Sequence, residues 1–462
     1  MTTPPVLKRG LVKIQFIASA HCIAIEYAEE KHMTISSTPG TQKARKEDLS
    51  SYPARIIGIT IAACLIFWVF VFNDSGWGPN LTPLSNQLHI PLVTVGLFYV
   101  LWSTGYLPGA LIGGIMLDRY GPRRVFFGAA LIVFGGISSI FLGLLLPHLV
   151  PVVFLLIFAG LAGVGGGIID ASTNGLISAV YASRRGVALN LFNLLYPLGG
   201  VVVALIDAGL LTLFHNDPRP AFLFTLCFIV GALCSLFGVP GKYRIGTGTG
   251  QTREDSSEPA PIRSRFIPPA HRYNETIQRF LSLVITLAPV IGVMMLTAGI
   301  SASVRTWAPA YLHVAFGQTP AVAAVLSSIT WALSAASRLG AAALILRIGS
   351  WRMVMLGILV ALLGLIVMML SPNAFIATLA IARTSIGLSP LFATCLTIGS
   401  EQVGRSPGSV AGILLFTVGS STAFCSWIFG FLLNTTGPTW AALFCFSSVF
   451  LGGLMALRLR NS

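Results

Sequence analysis

Long apolar runs that carry almost no charge constrain this chain more than any other feature of its sequence. Residues 142–163, for example, contain no Asp, Glu, Lys or Arg, and about 20 apolar residues are enough for a helix to cross a bilayer. Only 10% of the residues are charged and the mean hydropathy is +0.82, whereas about a quarter of a soluble domain is charged. A β-barrel would alternate apolar and polar residues, but these runs are apolar on all sides. We therefore predict an all-α membrane protein and exclude a soluble enzyme.

Cysteine usage and net charge exclude two further classes of protein. The seven cysteines are an odd number, and no CxxC pair occurs among them, so neither a disulfide framework nor a metal site is predicted. The net charge of +14 comes from Lys and Arg confined to loops rather than interleaved with aromatic residues on one face. Membrane topology explains the charge better than nucleic-acid binding does, and no cofactor is expected.

The apolar runs predict twelve transmembrane spans, numbered 1 to 12 in chain order. They lie near residues 55–80, 92–117, 123–146, 150–180, 187–213, 220–240, 279–303, 318–346, 352–370, 374–399, 408–433 and 439–457.

The basic residues of the loops orient these spans. With the N-terminus inside, the outer loops keep only Arg219 and Arg305. The cytoplasmic side then receives Arg119, Arg123, Arg124, Arg184, Arg185, the basic residues between Lys242 and Arg279, Arg347, Arg352, Arg405, Arg458 and Arg460. Because cytoplasmic loops carry the excess of Lys and Arg, both termini are predicted to be cytoplasmic and the protein to lie in the plasma membrane.

Composition shifts divide the chain into four parts. The only apolar stretch near the N-terminus, residues 11–28, is interrupted by charges and lacks a signal-peptide layout, so we expect a tail whose first residue could be Met1 or Met33. The predicted parts are an N-terminal tail (1–50), a six-helix bundle (51–240), a cytoplasmic linker (241–274) and a second six-helix bundle (275–462).

Short motifs recur in both predicted bundles. Residues 119–124 (RYGPRR), after span 2, recur as residues 347–352 (RIGSWR) after span 8. Trp77-Gly78-Pro79 at the end of span 1 likewise recurs as Trp307-Ala308-Pro309 at the end of span 7. Many transporters are duplicated units with the substrate site at their interface, so this repeat favours a transporter over a channel or a membrane-bound enzyme.

Span 2 and the loop after it resemble the signature of the major facilitator superfamily, through Gly105-Tyr106, Gly109, Gly113 and residues 118–124. This resemblance implies two pseudo-symmetric bundles that alternate access, with a cytoplasmic latch between them. The implied latch residues are Asp118, Arg119, Gly121, Arg123 and Arg124, together with Arg347 and Arg352 in the second copy. There Leu346 replaces the aspartate, so that latch should be weaker. The alternative is a basic turn that only orients the protein.

Spans 1, 4 and 5 resemble the fucose permease branch of that superfamily. The matching residues are Asn73-Asp74, Gly76, Pro79, Gly163, Gly165, Asp170, Asn174, Arg185-Gly186, Ala188-Leu189-Asn190-Leu191 and Asn193. The resemblance implies proton or sodium symport of a sugar, with Asp74 and Asp170 in coupling and recognition. Three departures from the pattern of this branch leave open whether the solute is a sugar. Asn193 stands where the branch often has His, residues 301–307 lack the Glu that it often carries, and Arg383 is unexpected.

Charges inside the predicted spans point to the same residues independently of the family resemblance. We identify Asp74, Asp170, Asp207 and Arg383 as such charges; each costs about 2.5–3.5 kcal/mol at mid-membrane unless it faces a protein cavity. A desolvated carboxylate can bind and release a proton, so Asp74 and Asp170 are predicted to couple transport to protons, or alternatively to hydrogen-bond neighbouring helices. Asp207, near the outer end of span 5, is expected on a solvated face.

The predicted substrate site combines side-chain amides, aromatic rings and one basic residue, Arg383. Amide and hydroxyl groups match sugar hydroxyls, tryptophan rings can stack on a sugar, and Arg383 could be a counter-ion to an aspartate or a clamp for a carboxylate. Helix packing and interfacial tryptophan are the alternatives. The candidates are Asn73, Trp77, Asn174, Asn190, Asn193, Tyr196, Trp307 and Arg383.

These observations predict a secondary active transporter, monomeric because the architecture needs only one chain, that moves a small sugar-like solute with protons across a lipid bilayer. No GxxxxGK[ST] motif is present, so an ion gradient rather than ATP is expected to supply the energy. Three alternatives stay open. Residues 197–200 partly match a drug-antiporter signature, Arg383 favours an organic-anion carrier, and a non-transporting sensor belongs to a different class.

Overall fold

The computed structural model describes residues 42–146, 149–181, 185–236, 270–403 and 407–459. Most of the predicted tail and linker lies outside these residues, as do the side chains of Asp118, Asn190 and Leu346. The chain divides into two units. The first is Met1–Ile61, of which the described part is the beginning of the first helix, and the second is Ala62–Ser462.

The regular structure of the described residues is helical, and no strand occurs among them. In chain order the helices are α1 Gln42–Ser75, α2 Trp77–Leu88, α3 Leu92–Tyr120, α4 Pro122–Leu145, α5 Val152–Val180, α6 Arg185–Leu213, α7 Arg219–Ser235, α8 Ala270–Phe316, α9 Pro320–Ile348, α10 Ser350–Met369, α11 Ala374–Leu388, α12 Leu391–Val403, α13 Pro407–Thr435 and α14 Pro438–Arg458. Within the described residues, eleven apolar stretches are long enough to cross a membrane, and α7 is a shorter apolar helix at the position of span 6. The predicted all-α, twelve-span membrane fold is confirmed.

Two spans are each built from two helices, and prolines explain both breaks. Span 1 changes from α1 to α2 at Gly76, because Pro79 has no N–H to donate to the carbonyl of Ser75. Span 10 changes from α11 to α12 at Ser389 and Pro390. Sequence reasoning placed a single helix in each.

Span 7 is longer than predicted. We expected it to end near residue 303, but α8 continues to Phe316. The polar residues 301–306 interrupt the apolar run, yet they are buried against other helices. Arg305 is therefore 8% exposed inside α8, and its predicted place in an outer loop was wrong.

Helices α3 and α5 pack with their backbones in close contact. A methyl group at Gly105 would lie 2.0 Å from the carbonyl oxygen of Gly160, and one at Gly163 would lie 1.9 Å from that of Trp102. Small residues permit such approach between membrane helices. This contact holds α3 and α5, which carry several of the candidate site residues, against each other.

The predicted repeat is visible in the backbone. Gly121, between α3 and α4, has φ 79° and ψ 162°, and Gly349, between α9 and α10, has φ 82° and ψ 162°. Both conformations lie in the region that favours glycine. The two RxGxxR turns thus share one geometry.

At the end of the bundle that carries the break in span 1, α2, α3, α8 and α13 pack tightly against one another. A methyl group at Gly78 would lie 2.8 Å from the carbonyl oxygen of Thr306. The Trp307 ring lies between Gly96 of α3 and Gly430 of α13, and a methyl group at either glycine would lie within 2.8 Å of it. Trp307 is 0% exposed, so this end of the bundle, which the sequence predicts to be the outer one, is closed along these helices.

Candidate functional site

Asp74 lies at the last turn of α1 and is held by two tyrosines from other helices. Tyr99 of α3 donates its hydroxyl to Oδ1 at 3.3 Å, and Tyr196 of α6 donates to Oδ2 at 2.5 Å. The side chain is buried, at 5% exposure. Three helices therefore fix this carboxylate in a space that solvent scarcely reaches.

Asp170, on α5, has a matching arrangement and is half-buried. Tyr106 of α3 donates its hydroxyl to Oδ2, and Asn174 donates its side-chain amide to Oδ1 at 2.8 Å. Asn193 of α6 donates in turn to the Asn174 side-chain oxygen at 2.9 Å. Asn174 and Asn193 thus link Asp170 to α6.

Helix α3 supplies one tyrosine to each carboxylate and connects them by stacked rings. The Trp102 ring centroid lies 5.6 Å from that of Tyr99 and 5.9 Å from that of Tyr106. The two tyrosines are two helical turns apart, which is about 10 Å along the axis. The two carboxylates therefore occupy different depths, with Asp74 nearer the closed end of the bundle.

Asp74, Asp170, Tyr99, Tyr106 and Tyr196 form the cluster described above. Two arginines from the second half of the chain lie next to it. Arg338 of α9 donates to the backbone oxygen of Asn193 at 3.3 Å and to the Ser389 hydroxyl at 2.9 Å, and its guanidinium carbon lies 5.9 Å from the Tyr196 ring centroid. Tyr196 is thus shared between Asp74 and Arg338. The cluster draws residues from both halves of the sequence.

Arg305 of α8 completes the cluster through Trp331. Its guanidinium carbon lies 5.1 Å from the Trp331 ring centroid, and that ring packs edge-on against Tyr196 at 5.5 Å. Arg305 donates to the Ser301 hydroxyl at 2.7 Å, while its Nε is buried with no partner. An unpartnered buried donor is available to a bound ligand.

The charges of the cluster are not neutralised by direct contact. Among the described residues, neither Asp74 nor Asp170 has a basic group within 4.0 Å; the ion pair that the structure shows joins Arg219 to Asp217, at 2.6 Å in the loop before α7. Burial alone would raise the pKa of Asp217, but hydrogen bonds and the positive charge from Arg219 outweigh it and lower that pKa. The carboxylates of Asp74 and Asp170 can therefore pair with a bound ion or solute.

Three predicted substrate residues are brought to the carboxylates: Asn174, Asn193 and Tyr196. The two tryptophans are not. Trp77 is 3% exposed and packs against Phe98 and Phe222. The Trp307 ring packs between Gly96 and Gly430, so neither tryptophan ring has a free face in this conformation, and a role for either in binding a sugar stays a prediction.

The other predicted residues lie apart from the cluster. Asn73 is buried and donates to the Ala162 carbonyl at 3.0 Å. Arg383 is exposed on α11, on the same stripe as exposed Phe375 and Leu379. It makes no ion pair within the described residues, and its role as a counter-ion or as a clamp for a carboxylate stays a prediction. Asp207 is 5% exposed rather than solvated, which corrects that expectation.

Sequence reasoning missed Arg305 and Arg338, although a signal for each was present. Arg338 is a charge inside predicted span 8, which is the criterion that identified Asp74 and Asp170. Arg305 lies just beyond the predicted end of span 7, so the boundary error removed it from consideration.

The predicted latch is only partly described. The Asp118 side chain lies outside the described residues. The Arg119 guanidinium lies over the ring of Tyr120 at 5.4 Å, while Arg347 and Arg352 are exposed. The latch stays a prediction.

Comparison with known proteins agrees with this geometry. The model of the Major Facilitator Superfamily matches residues 63–425. A crystal structure of a D-xylose-proton symporter is similar, with a TM-score of 0.68 and 17% identity over 88% of this chain and 97% of that chain. No curated protein sequence matches.

Two other solved transporters show the same fold. A nucleoside transporter, NupG, has a TM-score of 0.67 and 10% identity over 87% of this chain and 99% of that chain. The fucose:proton symporter FucP of E. coli has a TM-score of 0.57 and 13% identity over 88% and 99%. Identities this low show a common fold only.

Proposed function

The chain belongs to the Major Facilitator Superfamily and is a multi-pass membrane transporter, and from this premise we propose that it carries a small polar solute together with protons. Asp74 and Asp170 bind the protons. The solute binds among Asn193, Tyr196 and Arg338. The symporters for xylose and fucose among the solved relatives support a sugar-like solute, whereas the nucleoside transporter shows that the fold serves other solutes.

One observation carries this proposal: the buried Asp74 and the half-buried Asp170 each accept a hydrogen bond from a tyrosine, and neither makes an ion pair within the part of the chain that the structure describes. The tyrosine hydroxyl stabilises the charged carboxylate, and burial disfavours it. Such a balance permits protonation and release as the surroundings change. Since Tyr196 also contacts Arg338 and Trp331 of the other half, proton binding at Asp74 can alter the contact between the halves.

The wider topology belongs to the same proposal. Bundles 51–240 and 275–462 move against each other in a monomer in the plasma membrane, with both termini cytoplasmic. In the described conformation Asp74 is closed off, while Asp170 is half-buried. This difference is consistent with access from the inner side.

Uptake into proteoliposomes tests the proton assignment. Asp170→Asn mimics the protonated carboxyl, so accumulation driven by a proton gradient should be lost while counterflow exchange, which needs no net proton movement, survives. Asp74→Asn should behave alike if the two carboxylates form a relay. Asp217→Asn, in the outer loop, is the matched control and should transport normally. Full gradient-driven accumulation by Asp170→Asn would refute proton coupling at this residue.

A second candidate function, organic-anion transport, is favoured by the two arginines rather than by Arg383. Arg338 and Arg305 place two guanidinium groups near Tyr196 and Trp331, and guanidinium groups bind carboxylates well. Arg338→Gln should weaken uptake of carboxylate solutes about tenfold or more and leave neutral sugars less affected, because charged hydrogen bonds contribute about 1.5–3 kcal/mol. Arg383→Gln, on the exposed stripe, is the control. Equal losses for sugars and carboxylates would count against an anionic solute.

A further inference from the structure

A small cavity lies beside the break between α1 and α2, apart from the cluster around Tyr196. Its volume is ≈ 20 Å³, which is room for about one water-sized ligand. Its lining comes from α1, α2, α4, α6 and α7, and the residues with polar side chains in it are Asn73, Trp77, Asn80, Asp207 and Thr225. None of these lining residues is basic. The proposed transport cycle uses none of its polar groups.

Among the described residues, two oxygen acceptors of this cavity, Asn73 Oδ1 and Asn80 Oδ1, and one donor, Trp77 Nε1, are buried without a hydrogen-bond partner. Asp207 presents a carboxylate that accepts one hydrogen bond, from Asn80 Nδ2 at 2.9 Å. The same amide also donates to the Gly76 carbonyl at 2.9 Å, which directs the amide nitrogen to acceptors and leaves Oδ1 of Asn80 without a partner. Asn73 donates to Ala162, and its Oδ1 also has no partner.

The unpartnered oxygens are deeply buried. Asn73 is 3% exposed, Asn80 is 4% exposed and Asp207 is 5% exposed. A buried acceptor without a partner carries a desolvation cost of about 1–3 kcal/mol, and an unpaired buried carboxylate is costlier still. A small cation would satisfy the two amide oxygens and the carboxylate together, whereas an anion or an apolar ligand would leave them unsatisfied.

The backbone at the cavity is also suited to a cation. Transporters bind sodium at breaks in membrane helices, and at this break Pro79 removes the helical hydrogen bond to the Ser75 carbonyl. Here the break at Gly76 lies opposite Asp207, whose Oδ2 would lie 4.0 Å from a methyl group at Gly76. Hard cations prefer carboxylate, amide and carbonyl oxygens of this kind.

We propose that Asp207, Asn80 and Asn73 form a binding site for a desolvated monovalent cation, Na⁺, at the break in span 1. The site is separate from the proton-binding carboxylates. By bridging α1, α2 and α6, the bound ion would hold the outer part of the first bundle together.

Binding of radioactive sodium to the purified full-length protein tests this site. The wild type should bind sodium saturably, with competition by unlabelled Na⁺ and much weaker competition by K⁺. Asp207→Asn should abolish saturable binding, whereas Asp217→Asn, the same change in the exposed ion pair, should leave it intact. In a parallel measurement Na⁺ should raise the wild-type Tm relative to K⁺ at equal ionic strength, because a ligand that binds only the folded state stabilises it.

Asn80→Leu provides a second variant if Asp207→Asn does not fold. It removes one proposed ligand and keeps the carboxylate, so half-saturation should need about tenfold more sodium or higher, in the range of losses seen when metal-site residues are changed.

Three results would overturn the site. The wild type could bind no sodium saturably, which would mean that Asp207 holds only a proton. Asp207→Asn could bind as well as the wild type. Asp74→Asn or Asp170→Asn could abolish sodium binding, which would place the ion in the transport cluster instead. Retained sodium binding in those two variants keeps this proposal independent of the proposed proton coupling.

Discussion

At the scale of single residues, Tyr196 connects more of the cluster than any charged group does. Its hydroxyl binds Asp74 of the first half, while its ring contacts Arg338 and Trp331 of the second. The hydroxyl and the ring can be separated experimentally, since phenylalanine keeps the ring. Phe70 stacks on the same ring at 5.9 Å, which should hold the ring in place.

Tyr196→Phe should lower gradient-driven uptake about tenfold or more, because a hydrogen bond to a charged group contributes about 1.5–3 kcal/mol. The protein should remain folded, and counterflow exchange should be less affected than net uptake. Initial rates in proteoliposomes measure both. Tyr120→Phe, on an exposed ring, is the control, and equal rates for Tyr196→Phe and the wild type would remove the hydroxyl from the coupling scheme.

The sequence alone predicted the two aspartates of the cluster but not their tyrosine partners on α3, and the reason is physical. Asp74 and Asp170 were found because a charge in an apolar run is costly wherever it faces lipid. Their tyrosine partners Tyr99 and Tyr106 were not identified as partners, since a tyrosine is compatible with an apolar span and its hydroxyl carries no charge. Which acceptor a hydroxyl reaches depends on packing between distant helices.

At the scale of helices, glycine decides how closely α3 and α5 approach. The carbonyl of Gly160 occupies the space where a side chain at Gly105 would begin. Gly114, on the same helix, has nothing within 4 Å of the corresponding position. The two glycines therefore form a natural pair for comparison.

Gly105→Ala should destabilise the protein by about 1–3 kcal/mol, the usual cost of overpacking, whereas Gly114→Ala should have little effect. The decrease in Tm, followed by size-exclusion chromatography after heating, measures the difference. A similar Tm for both variants would show that α3 and α5 can separate without cost.

Helix boundaries were the least predictable feature at this scale. Hydropathy located every span but not the ends, because a buried polar segment such as residues 301–306 resembles a loop in sequence. The break at Ser389-Pro390 was missed because apolar residues lie on both sides of it, whereas the break at Gly76 lies in the polar segment 73–80, which the predicted span included as its last turns. Burial by neighbouring helices, which local composition does not encode, decides both cases.

At the scale of the whole transporter, the closed outer end should compete with an open one. Alternating access requires that the two arrangements differ by only a few kcal/mol, so a modest steric change at the closure can shift the populations. Gly78 of α2 is the most direct position for such a change, because the Thr306 carbonyl of α8 leaves no room for a side chain there.

Gly78→Val should therefore favour the outward-open arrangement. Overpacking by about 1–3 kcal/mol corresponds to a population shift of roughly five- to a hundredfold, since each 1.4 kcal/mol is a factor of ten. Ser301, which is 7% exposed beside Arg305, offers a site for a reporter cysteine in a variant that lacks the seven native cysteines.

With that reporter, Gly78→Val should react faster with an impermeant maleimide added outside cells, and net uptake should fall because the outer end closes less often. Gly128→Val is the matched control, since Gly128 of α4 has nothing within 4 Å of the added side chain. If Gly78→Val leaves both the labelling rate and uptake unchanged, the contact between Gly78 and Thr306 does not close the outer path. Faster labelling with unchanged uptake would instead show that closure of this end is not rate-limiting for transport.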